Sequence, residues 1–121
     1  MLKIINNRPI YELIRSDTWI IDITQKNEDG TPINITGCVF KFTVKEDYDT
    51  NPIITQESVG VDIFRNDLQG IIIYTVNTIL TKTLKIKRYL WDVERTDTQG
   101  KKKTILIGDL IIGREVSANS S

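Results

Sequence analysis

The 121-residue chain carries 16 basic and 16 acidic side chains, which cancel to zero formal charge, together with one cysteine and no histidine. Zero net charge leaves no global field to gather nucleic acid or an anionic membrane. The missing histidine removes the commonest general base, the Ser-His and Cys-His pairs and most zinc sites, and a lone cysteine excludes an internal disulfide.

Composition sets the fold class. The chain holds 21 Ile, 14 Thr and 7 Val against one Ala. Branched Cβ atoms lose rotamer freedom in a helix and pack well on a pleated surface, so an all-β chain with one core is expected. Residues 1–11, broken by Asn6, Asn7 and Pro9, read as an N-terminal arm, either a first edge strand or a contact reaching a neighbour. No apolar run is long enough for a spanning helix or a secretory core, so neither membrane insertion nor export is expected. The domain proper is placed at 12–116 and a flexible tail at 117–121.

Strands are predicted at 12–15, 18–26, 38–45, 53–58, 71–76, 87–95 and 104–113, with a further short one at 61–64. Trp19, Ile21 and Ile23 alternate with Ile20, Asp22 and Thr24, and Cys38, Phe40, Phe42 and Val44 alternate with Val39, Lys41, Thr43 and Lys45. Between them Asp29-Gly30 turns the chain, and residues 31–37 form an extended crossing segment that points Ile33 and Ile35 inward. Residues 46–52 make a polar loop, and 66–70 a second turn. Asn77 to Leu84 fits one helical turn capped by Asn77 or Thr78, and 96–103 a hairpin tip. About seven or eight short strands with frequent turns predict a two-sheet antiparallel β-sandwich. Its predicted core is Trp19, Ile21, Ile23, Phe40, Phe42, Tyr89, Trp91 and Val93, with Cys38 as a small buried hydrophobe. Tyr89 also stands where a sandwich places a tyrosine corner.

Chemistry-bearing constellations are sparse. Asp47 with Asp49, and Asp92 with Glu94, are carboxylate pairs, but nothing near them in sequence suggests a raised pKa or the second half of a site. Glu46, Asp47, Asp49 and Asn51 offer oxygens to a hard cation, yet the loop lacks the glycine and terminal Glu of a calcium loop. No phosphate-cradling glycine motif occurs. Neither a catalytic residue, a metal nor a cofactor is therefore predicted. Lys101 to Lys103, with Lys82, Lys85, Lys87 and Arg88, read as guards of exposed strand edges, or as a docking patch for an acidic surface.

One surplus needs an outlet. A sandwich strand buries one face, but Ile71 to Ile73, Ile105 to Ile107 and Leu110 to Ile112 are apolar on both. Cover by the N-terminal arm or an intersubunit contact would absorb it. The candidate contact residues are Leu2, Ile4 and Ile5 on the arm, and Ile72, Leu106 and Leu110 on outward strand faces.

Taken in order, R-x-D-T (Arg15 to Thr18), D-G-T-P-I-N-I-T-G (Asp29 to Gly37), F-K-F-T-V (Phe40 to Val44), Y-L-W-D-V (Tyr89 to Val93) and I-L-I-G-D-L-I-I (Ile105 to Ile112) resemble small Ig-like β-sandwich domains of tailed-bacteriophage structural proteins. The domain type is similar to the N-terminal domain of phage baseplate upper proteins and to head decoration and head-fibre proteins. The likeness covers about residues 12 to 113. The pattern often has Gly where Ser16 stands, and Gly near Lys87. The resemblance supplies no catalytic residue. It implies a non-enzymatic virion protein, assembled in the host cytoplasm, that decorates the head or adapts head, neck or tail by binding capsid, neck or tail components, with a homo-oligomer as a further possibility. The alternative is a carbohydrate or host-surface binding module of a phage fibre or baseplate, using Tyr48, Trp19 or Trp91 as stacking platforms.

Overall fold

The structure, a computed structural model, describes residues 2–5 and 8–113, with side chains from residue 9 onward. Nine strands follow in chain order: β1 (Leu2–Ile5), β2 (Arg8–Ile14), β3 (Trp19–Thr24), β4 (Val39–Lys45), β5 (Ile54–Thr55), β6 (Val61–Asn66), β7 (Ile71–Val76), β8 (Arg88–Thr96) and β9 (Lys102–Gly113). A single helical turn, α1 (Thr78–Thr81), links β7 to β8, and the Asn77 side chain caps it by accepting the Ile79 N–H at 3.0 Å. A six-stranded sheet runs β1-β2-β9-β8-β4-β5 and a three-stranded sheet runs β3-β7-β6. The chain is an all-β sandwich.

Two details depart from the expected pattern, and the N-terminal arm takes the edge-strand form of its two alternatives. Every paired neighbour is antiparallel except β2 and β9, which run parallel, with Arg15 N–H donating to the Gly113 carbonyl at 3.0 Å where that ladder ends. Residues 2–5 and 8–11 are strand backbone, β1 pairing with the first half of β2, and β2 continues through position 12 without a break. β5 spans two residues rather than six, because Thr55 to Ser58 closes a turn that draws the chain away from β4. The tail at 117–121 lies outside the described residues.

Packing explains why the sandwich closes. Trp19 stands edge-on to Trp91, Phe42 and Tyr11, with ring centroids 5.9, 5.5 and 5.5 Å apart, and Phe42 stacks on Tyr74 at 5.0 Å. Aromatic pairs in these geometries add about 0.5–1.5 kcal/mol beyond the area they bury. Trp91 donates its indole N–H to the Asp109 carbonyl at 3.0 Å. That close approach requires Gly108, where a Cβ would meet the Pro9 carbonyl at 2.3 Å and the Trp91 indole at 2.9 Å. Tyr89 forms the tyrosine corner, its hydroxyl accepting the Lys85 N–H at 2.8 Å. The predicted core residues Trp19, Ile21, Ile23, Phe40, Phe42, Tyr89, Trp91 and Val93 are all buried, with Ile35 from the crossing segment among them. Cys38 is only partly buried, at the margin of that core.

Arg65 fastens one lateral side of the sandwich. It reaches from β6 to the carbonyls of Cys38 and Ile35 at 3.0 and 3.1 Å, pairs with Asp67 at 2.9 Å, and lies over the Phe40 ring. A guanidinium presents several donors in a planar fork, which a lysine could not match.

Candidate protein-binding surface

Pairing within the three-stranded sheet decides which of its residues face water. Ile73 of β7 lies opposite Asp22 of β3 and Phe64 of β6, while Ile71 lies opposite Thr24 and Asn66. Ile20 enters the same face from β3, opposite Thr75. Residues directly opposite across a ladder share a face, so Ile20, Phe64, Ile71 and Ile73 form an apolar group on the outer surface. Phe64 is 57% exposed and Ile20 54% exposed, with Ile71 and Ile73 half covered between them.

The same sheet ends in an open edge. Among the described residues β6 pairs with β7 on one side and has no strand on the other, and all its residues but Val61 are exposed. Its sequence, VDIFRN, contains neither Lys nor Pro to discourage a further strand. Leu68, in the turn that follows β6, is 69% exposed. An incoming chain would meet backbone donors and acceptors along β6 and an aromatic ring beside them, two features that protein partners use.

Several residues expected at the contact lie elsewhere. Ile72 and Leu110 are fully buried, because each shares parity with the longer inward row of its strand: Ile72 with Tyr74 and Val76, Leu110 with Ile112. Leu106 also turns inward and packs half-buried against the core. The outward apolar residues of β9 are Ile107 and Ile111, and a bulge at Ile105 sets the inner and outer positions on either side of it. Leu2, Ile4 and Ile5 belong to β1 at the far edge of the larger sheet, and their side chains fall outside the described residues. Phe64 and Ile20 were missed, although the alternation of Ile20 with buried Trp19 and Ile21 was a usable signal.

Chemistry remains sparse in three dimensions. Among the described residues no three His, Cys, Asp or Glu side chains gather where a metal could sit. Asp47 spends one carboxylate oxygen on the Tyr48 N–H at 2.7 Å, inside its own loop. Asp92 contradicts its sequence reading: burial raises its pKa, assisted by Glu94 and opposed by Lys45 and Lys41. Of the basic cluster, Lys87 pairs with Glu46 at 3.5 Å and Arg88 with Asp109 at 3.1 Å, while Lys101 to Lys103 stay exposed at the hairpin end. No described helix is long and apolar enough to cross a membrane.

No protein-family model and no curated protein matches the sequence. Among solved structures, the chain is similar to the crystal structure of the Lin-41 filamin domain, with a TM-score of 0.51 and 12% identity over 86% of this chain and 84% of that one. At that identity the likeness is one of fold, and with the two sheets and the tyrosine corner it makes this chain an Ig-like β-sandwich.

Proposed function

We propose that this protein is a non-enzymatic bacteriophage virion component that attaches to other virion proteins through the outer face and open edge of its three-stranded sheet. The observation carrying the reading is the juxtaposition of Phe64, Ile20, Ile71 and Ile73 with the exposed edge strand β6. A specific interface buries about 800 Å² per partner and draws on about 20–30 residues, so the nine outward positions of this sheet would form its centre and the β6 edge its border. Repetition over a symmetric particle multiplies a modest contact into firm attachment. Resemblance to phage Ig-like domains points to head decoration, or to an adaptor of head, neck or tail.

The test is the address of the protein in purified particles of the phage that encodes it, by cross-linking mass spectrometry. Cross-links from the exposed lysines to a capsid, neck or tail protein are expected, and Phe64→Ser should release the protein from particles while leaving its fold intact. Absence of the protein from the particles would end the reading, as would attachment indifferent to Phe64→Ser and Ile73→Ser together.

The carbohydrate reading changes form. Trp19 and Trp91 are buried and cannot stack on a ligand, which leaves Tyr48, exposed on the loop after β4.

A further inference from the structure

The opposite sheet carries a different kind of surface. On its outer face a depression of about 210 Å³ is lined by Thr43, Lys45, Tyr48, Leu90, Trp91, Asp92 and Ile107. Register explains the gathering: Thr43 of β4, Asp92 of β8 and Ile107 of β9 form one transverse row, and Lys45 stands opposite Leu90 in the next. Tyr48 enters from the loop, which is held by Thr50, whose Oγ1 accepts the Asp47 N–H at 3.1 Å and donates to the Asp47 carbonyl at 2.9 Å.

The lining has an unusual balance. Asp92 is half-buried and makes no hydrogen bond or ion pair among the described residues, although its carboxylate is partly desolvated. An acceptor partly withdrawn from water and without a donor loses some hydration free energy, which a ligand hydroxyl would recover. Lys41 and Lys45 on β4 offset Asp92 and Glu94 on β8, so the face holds neither a net anion nor a net cation trap. A charged ligand would therefore meet a like charge whichever its sign. Leu90 and Ile107 add apolar wall, and Tyr48 offers an aromatic face at the rim.

We propose that this depression is a binding site for one ring of a neutral, hydroxyl-rich ligand, a sugar residue, with Asp92 accepting hydroxyl protons, Lys45 and Thr43 donating, and Tyr48 covering the C–H face of the ring. Sugar recognition combines these elements: an aromatic platform for the apolar face and charged groups for the hydroxyls. The site lies on the other sheet from the protein-binding surface, so the two readings stand or fall separately. A virion protein with both would hold its particle by one sheet and present the other to a glycan.

The test uses the full chain with a panel of methyl glycosides of neutral hexoses in saturation-transfer NMR, and a glycan array containing neutral and sialylated members. Saturation transfer to ring protons is expected, with chemical-shift changes at Tyr48 and Ile107. Tyr48→Ala and Asp92→Ala should each weaken binding at least tenfold while the circular dichroism spectrum stays the same. Thr43→Val, a near-isosteric change, should weaken it less. The proposal is overturned by silence across panel and array, by binding of sialylated glycans alone, or by affinity indifferent to both Tyr48→Ala and Asp92→Ala. Phe64→Ser should leave glycoside binding unchanged.

Discussion

β7 carries apolar residues on both of its faces, and the two sets meet different surroundings. Ile72, Tyr74 and Val76 are sealed against the larger sheet, whereas Ile71 and Ile73 are covered only by Phe64 and the side chains beside them. Hydrophobicity does not separate the sets. What separates them is a second layer on one side and water on the other, so the inner row holds the fold and the outer row is free for a partner.

The sharpest way to break that comparison is to truncate one member of each row. Ile72→Ala should cost about 2–5 kcal/mol in urea unfolding, the range for deleting buried aliphatic groups, while Ile73→Ala should cost far less. Equal losses would mean that the outer face is as tightly packed as the inner one. Next in size, Gly108→Ala should destabilise by about 1–3 kcal/mol, because the added methyl has nowhere to go between the Pro9 carbonyl and the Trp91 indole.

Titration reports on the inner row directly. Burial pushes the Tyr74 hydroxyl up to about 12, with Arg65 acting in the opposite direction. The unfolded chain releases that proton near the usual tyrosine value of 10.0, so the fold keeps it over a range where the unfolded state has lost it. The resulting penalty on the fold is absent below pH 10 and grows as pH rises towards about 12. Tyr74→Phe should flatten that alkaline limb in a denaturation series, and an unchanged limb would assign it to other tyrosines such as Tyr11.

Smaller effects sharpen the picture at the surface. Ser16 has φ of +81°, a left-handed conformation that favours glycine. Ser16→Gly should therefore stabilise by about 0.5–1 kcal/mol, since relief of the Cβ clash exceeds the added entropy of glycine. Asp92→Asn should raise the melting temperature slightly at neutral pH. A carboxyl whose folded pKa is raised penalises the ionised fold, and that penalty disappears as pH falls below the unfolded value. The gain should shrink in acid, and a loss at neutral pH would show that Lys41 and Lys45 outweigh burial.

Much of the architecture was legible in the chain. Alternation placed β3, β4, β7 and β8 within one or two residues, because each buries one face and its pattern repeats every second position. Parity within β7 was legible too: its even row ends in Val76 and its odd row in Thr75, which points Ile72 inward. In β9 the comparison is masked by Gly108 in the inner row and by Asp109, an outward position that is nonetheless buried. The depression was not legible, since its seven residues come from β4, β8, β9 and a loop that only pairing brings together.

Composition and period-two patterning by themselves determined that this is a strand-built sandwich with an aromatic interior, because those properties are local and each residue carries its share. Tertiary structure alone decided the parallel pairing of β2 with β9, the open edge at β6 and the raised pKa of Asp92. These depend on what lies across a ladder or above a face, and strand neighbours distant in sequence leave no local mark.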